Sequence, residues 1–119
     1  MLPHPLYFRR MITYADFDKV EVRVGRILRV EDFPQARKPA YKLTIDFGAE
    51  IGVRRSSAQI TNYPKEVLEG SLVLAVTNFP PKQIGSFISE VLTLGVSDEA
   101  GDVVLITPVA DVPLGSRMF

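Results

Sequence analysis

The side chains able to do chemistry are few, and most are cationic. Histidine occurs once, at His4, and cysteine does not occur. No Ser-His-acid triad, thiolate nucleophile or His/Cys metal site therefore has the residues it needs. The seven carboxylates of residues 60–119 are scattered over turns and a short helical stretch, with no pair spaced for general acid/base work. Ser56-Ser57 has no base partner in the sequence, and no glycine-rich loop opens a helix to cradle phosphate. The expectation is a protein with no catalytic residue, no metal and no cofactor. What remains is basic: Arg23, Arg26, Arg29, Arg37, Lys38, Lys42, Arg54, Arg55 and, further on, Lys82. Residues 1–59 hold 11 Lys/Arg against 7 Asp/Glu and residues 60–119 hold 3 against 7, so a net charge of zero hides +4 and −4. Cations interleaved with Phe33, Tyr41, Phe79 and Phe87 suit phosphate neutralisation with base stacking.

Position decides which of these face a ligand. Val20 to Val30 alternates apolar and charged residues, so Arg23, Arg26 and Arg29 are expected on the outer face of a half-buried strand. Its core parity (Val20, Val22, Val24) breaks at Gly25-Arg26 and resumes at Leu28 and Val30, which suggests a bulge or bend at the glycine. Phe33 to Ala40, holding Pro34 and Pro39, is a loop. Tyr41 to Phe47 alternates without error and puts Tyr41 on the core parity of Phe47. Thr61 to Gly70 has Pro64 near its start and glycine at its end, the signature of one or two helical turns. Leu72–Val76 is a continuous apolar strand, and Val91–Leu94 and Val103–Ile106 are further strands joined across Ser97–Asp102. Five or six strands with one short helix between the third and fourth is the layout of an all-β, five-stranded OB-fold β-barrel with small terminal extensions. In that fold, Arg37, Lys38 and Lys82 fall on proline-flanked loops and are the better contact candidates.

Specific strings then add to the pattern. Val22-Arg-Val-Gly25, Tyr41–Gly48, Ser56-Ser-Ala-Gln-Ile60, Asn78-Phe-Pro-Pro81, Ser89-Glu-Val-Leu-Thr-Leu-Gly95 and Pro113-Leu-Gly115 resemble, in order and spacing, the CsaA branch of the tRNA-binding domain family. That family is also found appended to methionyl-tRNA synthetases. The resemblance runs from about Thr13 to Met118. It implies an OB barrel that forms a homodimer, binds structured tRNA, and serves as a chaperone for unfolded or export-bound (pre-secretory) polypeptides. Carried over residue by residue, it marks Lys38 in the first loop, Ser57 in the third strand, Asn78 and Lys82 before the next turn, and the pair Ser89-Glu90. Two departures bear on RNA recognition: Arg37 stands where the broader family has an acid, and Val91-Leu92 where it has Gly-Met.

The expected RNA-binding set is therefore Arg37, Lys38, Ser57, Asn78, Lys82, Ser89 and Glu90. A dedicated peptide-binding chaperone without physiological RNA binding is the alternative, with Phe33, Pro34, Phe79 and Pro80 lining an apolar groove. Residues 1–12 read as an N-terminal extension and 13–119 as the binding domain. No apolar run approaches the ~20 residues of a membrane span. Absence of cysteine and of a signal-like h-region fits a cytoplasmic protein. The apolar element Tyr14–Phe17 and the final Met118-Phe119 are expected at a two-fold interface.

Overall fold

The computed structural model describes residues 10–119, so His4 and most of the expected extension lie outside the described residues. The first element, α1 (Tyr14–Asp18), is one turn closed by a capping box. Thr13 Oγ1 accepts from the Asp16 N–H and the Asp16 carboxylate accepts from the Thr13 N–H, both at 3.1 Å. Then β1 (Val22–Asp32), β2 (Tyr41–Asp46) and β3 (Val53–Ala58) form an antiparallel meander, with the short helix α2 (Gly48–Ile51) between β2 and β3. The single-turn helix α3 (Lys65–Leu68) leads into β4 (Leu72–Val76), which pairs with the opposite edge of β1. After a hairpin of β5 (Lys82–Ile84) and β6 (Phe87–Ser89), β7 (Leu92–Thr93) joins β4. The sheet order is β3-β2-β1-β4-β7, and β8 (Gly95–Ser97) with β9 (Val103–Leu105) make a separate hairpin. This is the OB-fold barrel expected from the pattern, with its helix between the third and fourth strands. The β5–β6 hairpin was not expected, because three-residue strands are too short to show alternation.

The long first strand serves two partners. Val22–Arg26 pairs with β4 and Arg26–Asp32 with β2. Here the expected parity needs correcting. The register slips between Ile27 and Arg29, so Ile27 and Val30 are buried while Leu28 turns outward, as Val20 does. The irregularity thus lies beyond Gly25, not at it. Gly25 answers a different need: a Cβ there would stand 2.5 Å from Ile45 Cγ2 and 2.8 Å from Phe47 Cε1, both side chains fully buried. Only a glycine lets β1 pass that close to these side chains at the end of the neighbouring β2.

Ile27, Leu43, Ile45, Phe47, Ile60, Leu68 and Val73 fill the barrel, each burial being worth about 1.5–3 kcal/mol. Tyr41 is core, as its parity implies, and its hydroxyl donates to the Tyr63 carbonyl at 2.8 Å. Every residue of β4 is buried. Its outer face, with Val22 and Val24, is covered by Leu94, Val112 and Leu114. Residues 115–118 run along β1: the Gly115 N–H donates to the Val24 carbonyl and the Met118 N–H to the Val22 carbonyl.

Candidate nucleic-acid interface

The barrel closes where β3 approaches β6 and β7, and side chains do much of the closing. The Ser57 N–H donates to Ser89 Oγ at 3.0 Å, and the Arg55 N–H to Glu90 Oε1 at 3.1 Å. The Glu90 N–H donates back to the Arg55 carbonyl at 2.8 Å. Behind this row the buried Ser56 accepts from Thr93 Oγ1 at 2.9 Å. A strand edge that would otherwise expose unpaired backbone is thereby satisfied. Three residues expected to meet RNA, Ser57, Ser89 and Glu90, thus lie together on one seam with hydrogen bonds already made. Asn78 lies elsewhere. Its Oδ1 accepts from the Glu21 N–H at 3.0 Å and its Nδ2 donates to the Lys19 carbonyl at 2.7 Å, bracing the entry to β1.

The cations behave differently: Arg37 and Lys38 lie on the loop as expected, whereas Lys82 is not on a loop but opens β5, paired with Ser89. Arg37, Lys38 and Lys82 converge on a cleft of about 450 Å³ that they line with Ser57, Gln59 and Gln83. None of the three pairs with a carboxylate among the described residues. Two short pieces of chain are responsible. The Phe33–Ala40 loop and the β5–β6 hairpin share a satellite core of Phe33, Ala40 and Phe87, flanked by Ala36 and Ile84. That core fixes one loop against the other and so brings Lys38 to Lys82. Lys82, Ser57 and Ser89 also line a neighbouring cleft of about 460 Å³ that runs on to β8 and β9. A third hollow, about 380 Å³ and almost wholly apolar, is walled by Phe79, Pro80, Val91 and Leu92 with Lys82, Ser89 and Glu90 at its rim.

The aromatic expectation splits. Phe79 is exposed, but Phe33 and Phe87 are buried against each other edge to face, ring centroids 5.3 Å apart. Phe33 is therefore not part of an exposed apolar groove, and neither ring offers a free face to a base. Pro34 is exposed on the same loop but lines none of the three hollows. Arg23 also departs from expectation. Its side chain is only 15% exposed, held by Glu21 and by the Gly115 carbonyl at 2.8 Å. Sequence reasoning counted Lys42 and Arg55 among the cations suited to phosphate but preferred the proline-flanked Arg37, Lys38 and Lys82; the parity that buries Tyr41 and Leu43 turns Lys42 outward beside Ser57.

Among the described residues, no group of three or more His, Cys, Asp or Glu is placed to hold a metal ion, and no helix is long and apolar enough to cross a membrane. The arrangement offers cationic clefts beside an apolar hollow, a surface for binding. Comparison with known proteins agrees with that geometry. The structure superposes on the CsaA chaperone protein of Picrophilus torridus with TM-score 0.87 and 55% identity, covering 92% of this chain and 100% of that one. The chaperone CsaA of Bacillus anthracis gives 0.85 and 47%, covering 92% and 99%. Methionine–tRNA ligase of Nanoarchaeum equitans is 32% identical over 108 residues, 91% of this chain. The chain spans only about 14–16% of the length of such curated ligases. The family model described as "Putative tRNA binding domain" matches residues 22–117, and on that match the chain belongs to the tRNA-binding domain family.

Proposed function

We propose that this chain is a non-catalytic tRNA-binding protein of the CsaA type, holding structured tRNA in the clefts that meet at Lys82. The observation that carries the reading is the convergence of Arg37, Lys38 and Lys82 on one cleft without a carboxylate partner among the described residues. Unpaired cations on a loop and on the facing β5 neutralise phosphates at little desolvation cost, and phosphate contacts set affinity and position. Ser57 and Ser89 border the same clefts and offer hydroxyls to riboses. Asn78 is assigned an indirect part: it holds β1 in place. Residues 13–119 act as one binding domain in the cytoplasm. The direct test titrates the purified protein with total tRNA at two salt concentrations. Binding that weakens steeply with salt is the expected result, and salt-indifferent or absent binding refutes it.

Chaperone activity toward unfolded polypeptides is a second reading, favoured by the apolar hollow beneath Phe79 and Pro80. Phe79 is 54% exposed at its wall, which leaves apolar surface for a partner. A Phe79→Ala variant that loses an unfolded client while keeping tRNA supports it. Loss of neither ligand removes it. A homodimer is part of the proposal as well: Met11, Ile12 and Tyr14 stand exposed around α1, and a symmetric contact would cover them. Light scattering at micromolar concentration should report twice the chain mass, and a monomer refutes the pairing.

A further inference from the structure

We infer that the cleft between α3 and residues 107–111 is a second, separate binding site, shaped for a small zwitterion: an amino acid with an apolar side chain. The cleft holds about 350 Å³, at the lower end of the range of small-molecule sites. Of its lining residues, only Leu105 also lines one of the clefts that meet at Lys82. It therefore stands apart from the surface proposed for tRNA.

Three observations select that ligand. The first is a pair of opposite charges kept apart. Arg26 and Asp111 both line the cleft, yet neither forms an ion pair, with the other or with any other described residue. Two unmatched charges of opposite sign complement a molecule that carries both. An anion alone would be repelled by Asp111, a cation alone by Arg26, and a purely apolar molecule would desolvate both without compensation. The second is a donor held in place. Arg26 Nη1 donates to the Gly70 carbonyl at 2.7 Å. That turn is itself pinned to β1, the Gly70 N–H donating to the Ile27 carbonyl at 2.8 Å and the Ile27 N–H to the Ser71 carbonyl at 2.9 Å. One guanidinium N–H is thereby engaged, and the others remain for a carboxylate. Fixing the head beforehand removes part of the entropic cost of binding. The Tyr63 hydroxyl accepts from the Leu105 N–H at 3.2 Å and keeps its own proton for a ligand. The third is the facing wall. Residues 107–111 make no backbone hydrogen bond among the described residues, so the N–H groups of Val109, Ala110 and Asp111 have no backbone partner. Val67, Leu68, Leu72 and Pro108 supply the apolar lining that a side chain needs.

The test titrates the isotopically labelled protein with L-leucine and follows its amide chemical shifts. Isocaproate, which lacks the ammonium, and isoamylamine, which lacks the carboxylate, serve as comparison probes. Leucine is expected to give saturable shifts at Gly70, Ser71 and residues 109–111. Isoamylamine should bind about tenfold more weakly than leucine, having lost a charged hydrogen bond to Arg26. Isocaproate should bind about threefold more weakly, because Asp111 is exposed and its pairing is screened by solvent. Arg26→Gln should weaken leucine about tenfold and leave isoamylamine binding as in the parent. Asp111→Asn should weaken leucine about threefold and leave isocaproate binding as in the parent. Damage to the fold would lose every probe alike, so this crossed pattern is specific to the site. Both variants should keep parental tRNA affinity. No saturable shift at millimolar leucine, shifts centred on other residues, or three probes that bind alike would overturn the site. Displacement of leucine by tRNA would also overturn it, by making the cleft part of the RNA surface.

Discussion

The seam between β3 and β6–β7 and the cleft between the Phe33–Ala40 loop and β5 are built from similar polar residues only a few positions apart. They spend them in opposite ways. On the seam, Ser89 and Glu90 satisfy backbone N–H groups of β3. In the cleft, Lys38 and Lys82 face open space with no carboxylate partner among the described residues. A hydrogen bond to backbone earns stability, whereas a cation left to solvent costs the fold little and stays available to a ligand. Membership in one sequence motif therefore does not imply one job.

The sharpest way to break this contrast is at Glu90. Replacing it with Ala strands the Arg55 N–H on the barrel edge and should cost about 1–3 kcal/mol, read as a lower urea midpoint, with Glu90→Gln recovering most of the loss. A Glu90→Ala variant as stable as the parent would mean the seam is ornamental. Arg23 extends the comparison to a cation that behaves like a seam residue. Arg23→Ala removes contacts to Glu21 and Gly115 and should lose about 1 kcal/mol while leaving the salt slope of tRNA binding unchanged. Lys38→Ala and Lys82→Ala should show the reverse pattern. Their stability should stay within about 0.5 kcal/mol of the parent, and each should lower the slope by roughly 0.7–0.9. If they melt early instead, the cleft is structural too.

The smallest effect is expected at a pair that belongs to neither region. Lys65 Nζ lies 3.0 Å from Asp32 Oδ2, tying α3 to the end of β1. That hydrogen bond raises the lysine pKa above its ordinary 10.5, with burial opposing it. The pair's contribution is thus fully present below pH 10.5 and is lost as pH rises through the raised value. Comparison of Lys65→Met with the parent should show a slight deficit at neutral pH that closes in strong alkali. A deficit that persists there would point to lost packing instead.

Much of this protein followed from local sequence. Alternation over Tyr41–Phe47 set the strand, its core face and the outward direction of Lys42, because side-chain direction in a strand has period two. Proline at 64 and glycine at 70 bounded the helix, and the loop placement of Arg37 and Lys38 came from Pro34 and Pro39. The family resemblance, not local pattern, marked Ser57, Asn78, Ser89 and Glu90 as a set, and it did not supply their partners. Asn78 bonds across 57 residues and Ser89 across 32, and nothing local reports a contact that distant. The same limit hid the bulge after Ile27, which depends on how β1 divides itself between β2 and β4. It also hid the burial of Phe33, whose partner Phe87 is supplied by a hairpin too short to leave a periodic trace. Where alternation ran unbroken, as over Tyr41–Phe47, sequence settled which way each side chain points from its own strand, since that is fixed by backbone geometry one residue at a time. Whether the side chain then meets solvent, a ring or a backbone amide was decided only when the barrel closed and brought distant segments together.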